Sequence, residues 1–173
     1  MPRSAFGHLF GTQLSVCWAL GILAKPSDEE IMQMLDRLRS ASESANIVGG
    51  DGRVAAMANG MSERDIAIVS SSEMTSAGVR FTNQLNENSE RFSRPVALPE
   101  MNHNEIIAWS RHSSSQALLY LASPFTHPRV RARMNWMMEN VEAGDSWLLE
   151  CDGESLVESL LIAAHITDWV SIA

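Results

Sequence analysis

Cysteine is scarce in this sequence: its 173 residues hold two, Cys17 and Cys151. Neither lies in a CxxC pattern, so a disulfide-rich scaffold and a thiolate metal site are excluded. Each sits in an apolar run and reads as a buried thiol in a reducing compartment. Positive charge is scarce too. Thirteen Lys and Arg against 21 Asp and Glu leave a net charge of −8, which argues against nucleic acid or an anionic membrane surface as partner. No apolar run approaches the roughly 20 residues needed to span a bilayer. The most apolar stretch, residues 15–24, follows an approach broken by Gly7, His8, Gly11, Thr12 and Gln13, with only Arg3 supplying charge. It reads as neither signal nor anchor, and the expectation is a cytoplasmic protein with no membrane partner. Internal repeats and low-complexity tracts are also missing. What remains is 45% hydrophobic and 20% charged, the composition of one globular domain with an attached segment.

The pattern along the chain is a helix, a second helix, then alternation. Residues 4–23 are apolar nearly all round and predict a buried helix. Ser27 with Glu30 forms a capping box for the next helix, whose stripe is Ile31, Met34, Leu35 and Leu38. A polar, Gly-rich stretch from 40 to 52 reads as a linker. After it come a strand at 66–69, a helix at 74–90, a brief strand at 95–99 and a helix starting at 104. A strong strand at 117–122, a helix at 127–141, a strand at 147–151 and a closing helix at 155–172 complete the chain. Continuous apolar strands alternating with helices predict a mostly parallel sheet covered on both faces, a three-layer α/β domain. Ligands of such sheets collect at the carboxyl ends of the strands, where both Glu87 and His103 are expected to fall.

Candidate chemistry centres on two short motifs. Arg80, Gln84, Glu87 and Arg91 share one polar helix face. Glu87, between Asn86 and Asn88, is either half of an intrahelical ion pair or a carboxylate placed by its asparagines to move a proton. His103, between Asn102 and Asn104, sits on a strand-to-helix loop, where a structural role and a catalytic one both fit. The other histidines (His8, His112, His127 and His165) are scattered, so no metal site is expected. Residues 70–73, Ser-Ser-Ser-Glu, close a strand and open a helix; they are either an N-cap or a phosphate cradle. Gly50, Gly52 and Ala55 imitate a dinucleotide fingerprint without the strand that should precede it. The methionines around Trp136 read as core or subunit interface.

Taken together, Gln84-Leu85-Asn86-Glu87-Asn88 and Glu100-Met101-Asn102-His103-Asn104-Glu105 resemble the second sugar isomerase (SIS) domain of the bifunctional phosphoglucose/phosphomannose isomerases. Pro2-Arg3-Ser4 resembles the turn that ends the first SIS domain of that family. The resemblance implies a flavodoxin-like SIS domain over 46–173. Residues 1–45 would be a helical segment equivalent to the tail of a first SIS domain and the helix between the two. It implies an isomerase that interconverts glucose 6-phosphate or mannose 6-phosphate with fructose 6-phosphate through a cis-enediolate, without a cofactor. Glu87 would be the base, and His103 would assist ring opening in the neighbouring subunit of a homodimer. Arg3 would face the enediolate charge, and Arg80, Gln84, Asn102, Ser71 and Ser72 would contact substrate. Since the phosphate grip of this family lies in the first SIS domain, the chain is expected to be a carboxy-terminal portion of the enzyme. The alternative is a non-catalytic SIS module that binds a sugar phosphate for regulation or dimerisation.

Overall fold

A computed structural model describes residues 5–110 and 113–173. Arg3 lies outside the described residues. The chain divides into two compact units between Asp36 and Arg37.

The first unit holds α1 (Phe6–Ala19) and the opening turns of α2 (Asp28–Ala45). Gly21, in the left-handed region at φ 68°, ends α1 and lets the Ile22 amide turn back to the Cys17 carbonyl at 2.9 Å. The capping box forms as the sequence predicts: the Ser27 amide donates to Glu30 Oε2 at 2.7 Å and the Glu30 amide to Ser27 Oγ at 3.2 Å. The buried helix predicted at 4–23 is a helix but not a buried one. None of its residues is buried, and Leu9 and Val16 are more than half exposed. An all-round apolar surface shows that a helix suits burial without showing what buries it.

The second unit contains α3 (Arg53–Met61), β1 (Asp65–Ser71), α4 (Thr75–Asn88), β2 (Ser93–Leu98), two 3-10 turns (Glu100–His103 and Glu105–Ser110), β3 (Ser113–Ala122), α5 (Pro128–Asn140), β4 (Ala143–Glu150) and α6 (Leu156–Ile172). All strand pairs are parallel, in the order β2-β1-β3-β4. This is the doubly wound arrangement, whose direction reverses between β1 and β3. The central strands are the two continuous apolar runs, Ile66–Val69 and Ala117–Ala122, all buried. At the edge, β2 alternates buried Val96 and Leu98 with exposed Arg94, Pro95 and Ala97. An edge position is where a strand tolerates a proline.

α3, α4 and α6 cover one face of the sheet. On the other, Val69, Val96, Leu98, Leu118 and Tyr120 pack with Met101 and Trp109 of the 3-10 turns and with Met134 and Met137 of α5. The domain is therefore the predicted three-layer α/β structure.

Two local expectations are corrected. The stretch from 40 to 52 is not all linker, because α2 runs on to Ala45, and the helix α3 follows at once. Asp51 Oδ1 accepts the Arg53 amide at 2.9 Å, and Val54, Met57 and Met61 present a buried stripe. Gly50 and Gly52 had masked this helix start, and among the described residues no strand precedes it to make a dinucleotide site. The connection from β2 to β3 carries 3-10 turns where an α-helix was expected from residue 104.

Candidate functional site

Glu87 lies exposed in the last turn of α4. Its neighbours on that face are engaged within the fold. Arg80 forms a two-pronged ion pair with Asp168 of α6, with Nη2 to Oδ2 at 3.0 Å, and Gln84 Nε2 donates to the same carboxylate at 2.8 Å. Arg91 pairs with Glu63 at 3.4 Å. The flanking asparagines pin the helix end: Asn86 Oδ1 accepts the Ser93 amide at 3.2 Å, and Asn88 Nδ2 donates to Ser171 Oγ at 2.9 Å. Their recorded contacts thus fix the backbone that carries Glu87, tying it to β2 and α6.

The other motif follows β2. Asn102 points inward, donating to Met137 Sδ at 3.2 Å, while its Oδ1 is buried without a partner. His103 is exposed. Glu105, missed as a positioning group in the sequence, ties this segment down. One of its carboxylate oxygens accepts from both Arg94 at 2.6 Å and the Trp109 indole at 2.9 Å. Burial raises its pKa, but the hydrogen bonds from Arg94 and Trp109 and the charge of Arg94 outweigh that, and the net shift is downward. The Trp109 indole is satisfied in the core, and residues 105–110 run as a 3-10 turn.

Glu87 and His103 do not meet within one chain. The helix α4 leaves the carboxyl end of β1 and returns to the start of β2, so Glu87 lies at the amino edge of the sheet. His103 follows the carboxyl end of β2. The expectation that both fall at the carboxyl ends is therefore corrected for Glu87. The six residues of β2 separate the two levels, a rise of about 20 Å. A hexose cannot bridge that distance.

The switch point between β1 and β3 gathers a third group. Ser71 is fully buried and donates to Glu73 Oε1 at 2.5 Å, with its Oγ 3.4 Å from Thr126 Oγ1. Thr126 in turn accepts the Ser123 amide at 3.1 Å. Ser72 is exposed beside them. A carboxylate at this mouth opposes phosphate electrostatically, so the cradle reading of residues 70–73 loses its donor Ser71 to Glu73. Ser123 and Thr126 were not singled out in the sequence; the turn between β3 and α5 was the available signal. Among the described residues no three His, Cys, Asp or Glu side chains are grouped to hold a metal. Both cysteines are free, and burial first, then Glu150 and Asp152, push the Cys151 thiol up to about 12. No helix among the described residues is long and apolar enough to cross a membrane.

Comparison with known proteins supplies the family. A bifunctional phosphoglucose/phosphomannose isomerase of Aquifex aeolicus (strain VF5) is 31% identical over 112 residues, which are 62% of this chain and 35% of that protein. The chain thus spans about a third of that relative's length. Among solved structures, a glucose-6-phosphate isomerase like protein from Thermus thermophilus superposes with a TM-score of 0.66 at 12% identity, covering 83% of this chain and 51% of that one. The C-terminal domain of glucosamine-fructose-6-phosphate aminotransferase from Francisella tularensis gives a TM-score of 0.58 at 11% identity, covering 84% and 45%. At such identities these two likenesses speak for the fold alone. The profile of the bacterial phospho-glucose isomerase C-terminal SIS domain matches residues 52–173, from the start of α3 to the last residue, with both the Glu87 and the His103 motifs inside it. The chain belongs to that family of bacterial phosphoglucose isomerase C-terminal SIS domains.

Proposed function

We propose that this chain is the catalytic carboxy-terminal part of a sugar-phosphate isomerase, interconverting glucose 6-phosphate or mannose 6-phosphate with fructose 6-phosphate. Glu87 takes the proton from C2 of the aldose, leaving a cis-enediolate, and returns it to C1. The change is an internal redox exchange between two carbons of one sugar, so it balances without an external oxidant or reductant. His103 of a second copy assists ring opening, and Arg3 offsets the enediolate charge. The separation of Glu87 from His103 by the length of β2 carries the two-copy part of this reading: two groups needed at one hexose must come from two chains. A homodimer that pools these two groups is therefore part of the proposal.

A second reading is a non-catalytic SIS module that binds a sugar phosphate for regulation or dimerisation, and in either reading residues expected at the substrate are engaged within the fold. Arg80 and Gln84 face Asp168, and Ser71 faces Glu73. Solvent proton exchange at C1 of fructose 6-phosphate separates the readings. It is measured on the full chain, with and without an amino-terminal fragment of the Aquifex relative. Exchange that disappears in Glu87→Gln supports catalysis. Sugar-phosphate binding without exchange in either mixture supports the module.

A further inference from the structure

Six arginines of the second unit, Arg37, Arg64, Arg80, Arg91, Arg94 and Arg131, each face a carboxylate. Among the described residues Arg53, at the start of α3, forms no such ion pair. Arg129 and Arg133 form none either, although the chain carries eight more negative charges than positive ones. Their position is shared. One turn apart on α5, they line a cleft of about 520 Å³ with Asn102, Ile106, Ala132 and Trp136. The cleft is shallow and open to solvent, so a ligand there stays partly hydrated.

Two more features of the cleft point the same way. Trp136 is half exposed, and an open indole face suits the apolar C–H surface of a sugar ring. Asn102 has an Oδ1 with no donor and spends its amide on a weak sulfur acceptor. A buried acceptor left unpaired is unusual, and a ligand hydroxyl is a donor that matches it after a small side-chain rotation. Two guanidiniums without a carboxylate partner (Arg133 Nη1 donates to the Arg129 carbonyl at 3.4 Å), an exposed aromatic plate and a free amide acceptor together match a phosphorylated polyol.

We propose that this cleft binds the phosphate of a sugar phosphate through Arg129 and Arg133, with Asn102 accepting from a sugar hydroxyl. The site adjoins His103, and its lining residues do not include Ser71 or Glu73 of the switch point. The identity of the sugar phosphate rests on the isomerase reading, while the anion site itself does not.

The test is calorimetric titration of the full chain with fructose 6-phosphate, inorganic phosphate and unphosphorylated fructose. Fructose 6-phosphate and phosphate are expected to bind, and fructose is not. Arg129→Gln and Arg133→Gln should each weaken binding about tenfold or more, and the pair together about a hundredfold or more. Both side chains are exposed, so an unchanged urea midpoint confirms that the variants fold. Asn102→Ala should weaken fructose 6-phosphate while leaving inorganic phosphate unchanged, a split that a purely structural role would not produce. Wild-type chain that binds neither anion overturns the proposal, as does a double variant that binds as wild type does. If the arginine variants alter only the sedimentation of the chain and not its binding, these residues join copies and the proposal is wrong. Proton exchange at C1 that depends on Glu87, without anion binding in the cleft, would sink this site and leave the isomerase reading standing; binding without exchange would do the reverse.

Discussion

Glu105 ties the segment that carries His103 to the rest of the domain, and two replacements separate its contacts. Glu105→Ala removes the acceptor of the Trp109 indole, on a residue only 4% exposed. A buried donor left unsatisfied costs about 1–3 kcal/mol. It also removes the ion pair with Arg94, whose side chains are 48% and 25% exposed; such a pair contributes at most about 1 kcal/mol. The expected loss for alanine is therefore about 1–4 kcal/mol. Glu105→Gln keeps an oxygen for the indole and loses only charge, so it should cost about 1 kcal/mol or less. Urea unfolding followed by tryptophan fluorescence measures both, and in a chain of this size each kcal/mol moves the thermal midpoint by about 2–4 °C. The pH dependence carries a sign. The folded-state pKa of Glu105 lies below its ordinary value of 4.5, so its contribution is present above pH 4.5 and is lost as the pH falls through the lower, folded value. The gap between wild type and Glu105→Gln should close in acid. Equal losses for alanine and glutamine, or a gap that widens in acid, would refute the assignment of Glu105 as the staple of this turn.

Other perturbations follow from the same contacts. Asp168→Ala removes the acceptor shared by Arg80 and Gln84 between α4 and α6, and a loss of about 1–2 kcal/mol in urea unfolding is expected for this partly exposed cluster. Gly60→Ala drives a Cβ into the ring of Trp147, well inside van der Waals contact; the overpacking cost of about 1–3 kcal/mol should exceed the roughly 1 kcal/mol that alanine gains in a helix, and a rise in midpoint would contradict it. Arg131→Ala removes the ion pair with Glu150 and a bond to the Ser123 carbonyl, which should lower the midpoint without reducing anion binding in the α5 cleft.

The sheet was legible because its chemistry is local. Ile66–Val69 and Ala117–Ala122 are continuous apolar runs that only a doubly covered strand explains, and Ser155 announces α6 by accepting the Glu158 amide at 3.2 Å. What escaped was set by partners distant in sequence. Nothing near Arg80 announces Asp168, 88 residues away, and nothing near Glu105 announces its pairing with Arg94 of β2. The start of α3 was hidden by glycines that flank a sound helical stripe. The candidate residues Glu87 and His103 were legible as motifs, but their separation was not. It depends on where α4 ends relative to β2, which only the parallel pairing of β1 and β2 settles.

The central claim is that one active site draws Glu87 from one copy and His103 from another. It is tested most directly by mixing Glu87→Gln chains with His103→Gln chains, each in the presence of an amino-terminal fragment of the Aquifex relative. Proton exchange at C1 of fructose 6-phosphate is then recorded before and after mixing. Each variant alone should be inactive, and the mixture should regain up to about a quarter of wild-type exchange, because random pairing makes half the dimers mixed and each mixed dimer holds one site with both groups intact. A mixture as inactive as its components, with mixed dimers demonstrably formed, would contradict the shared site.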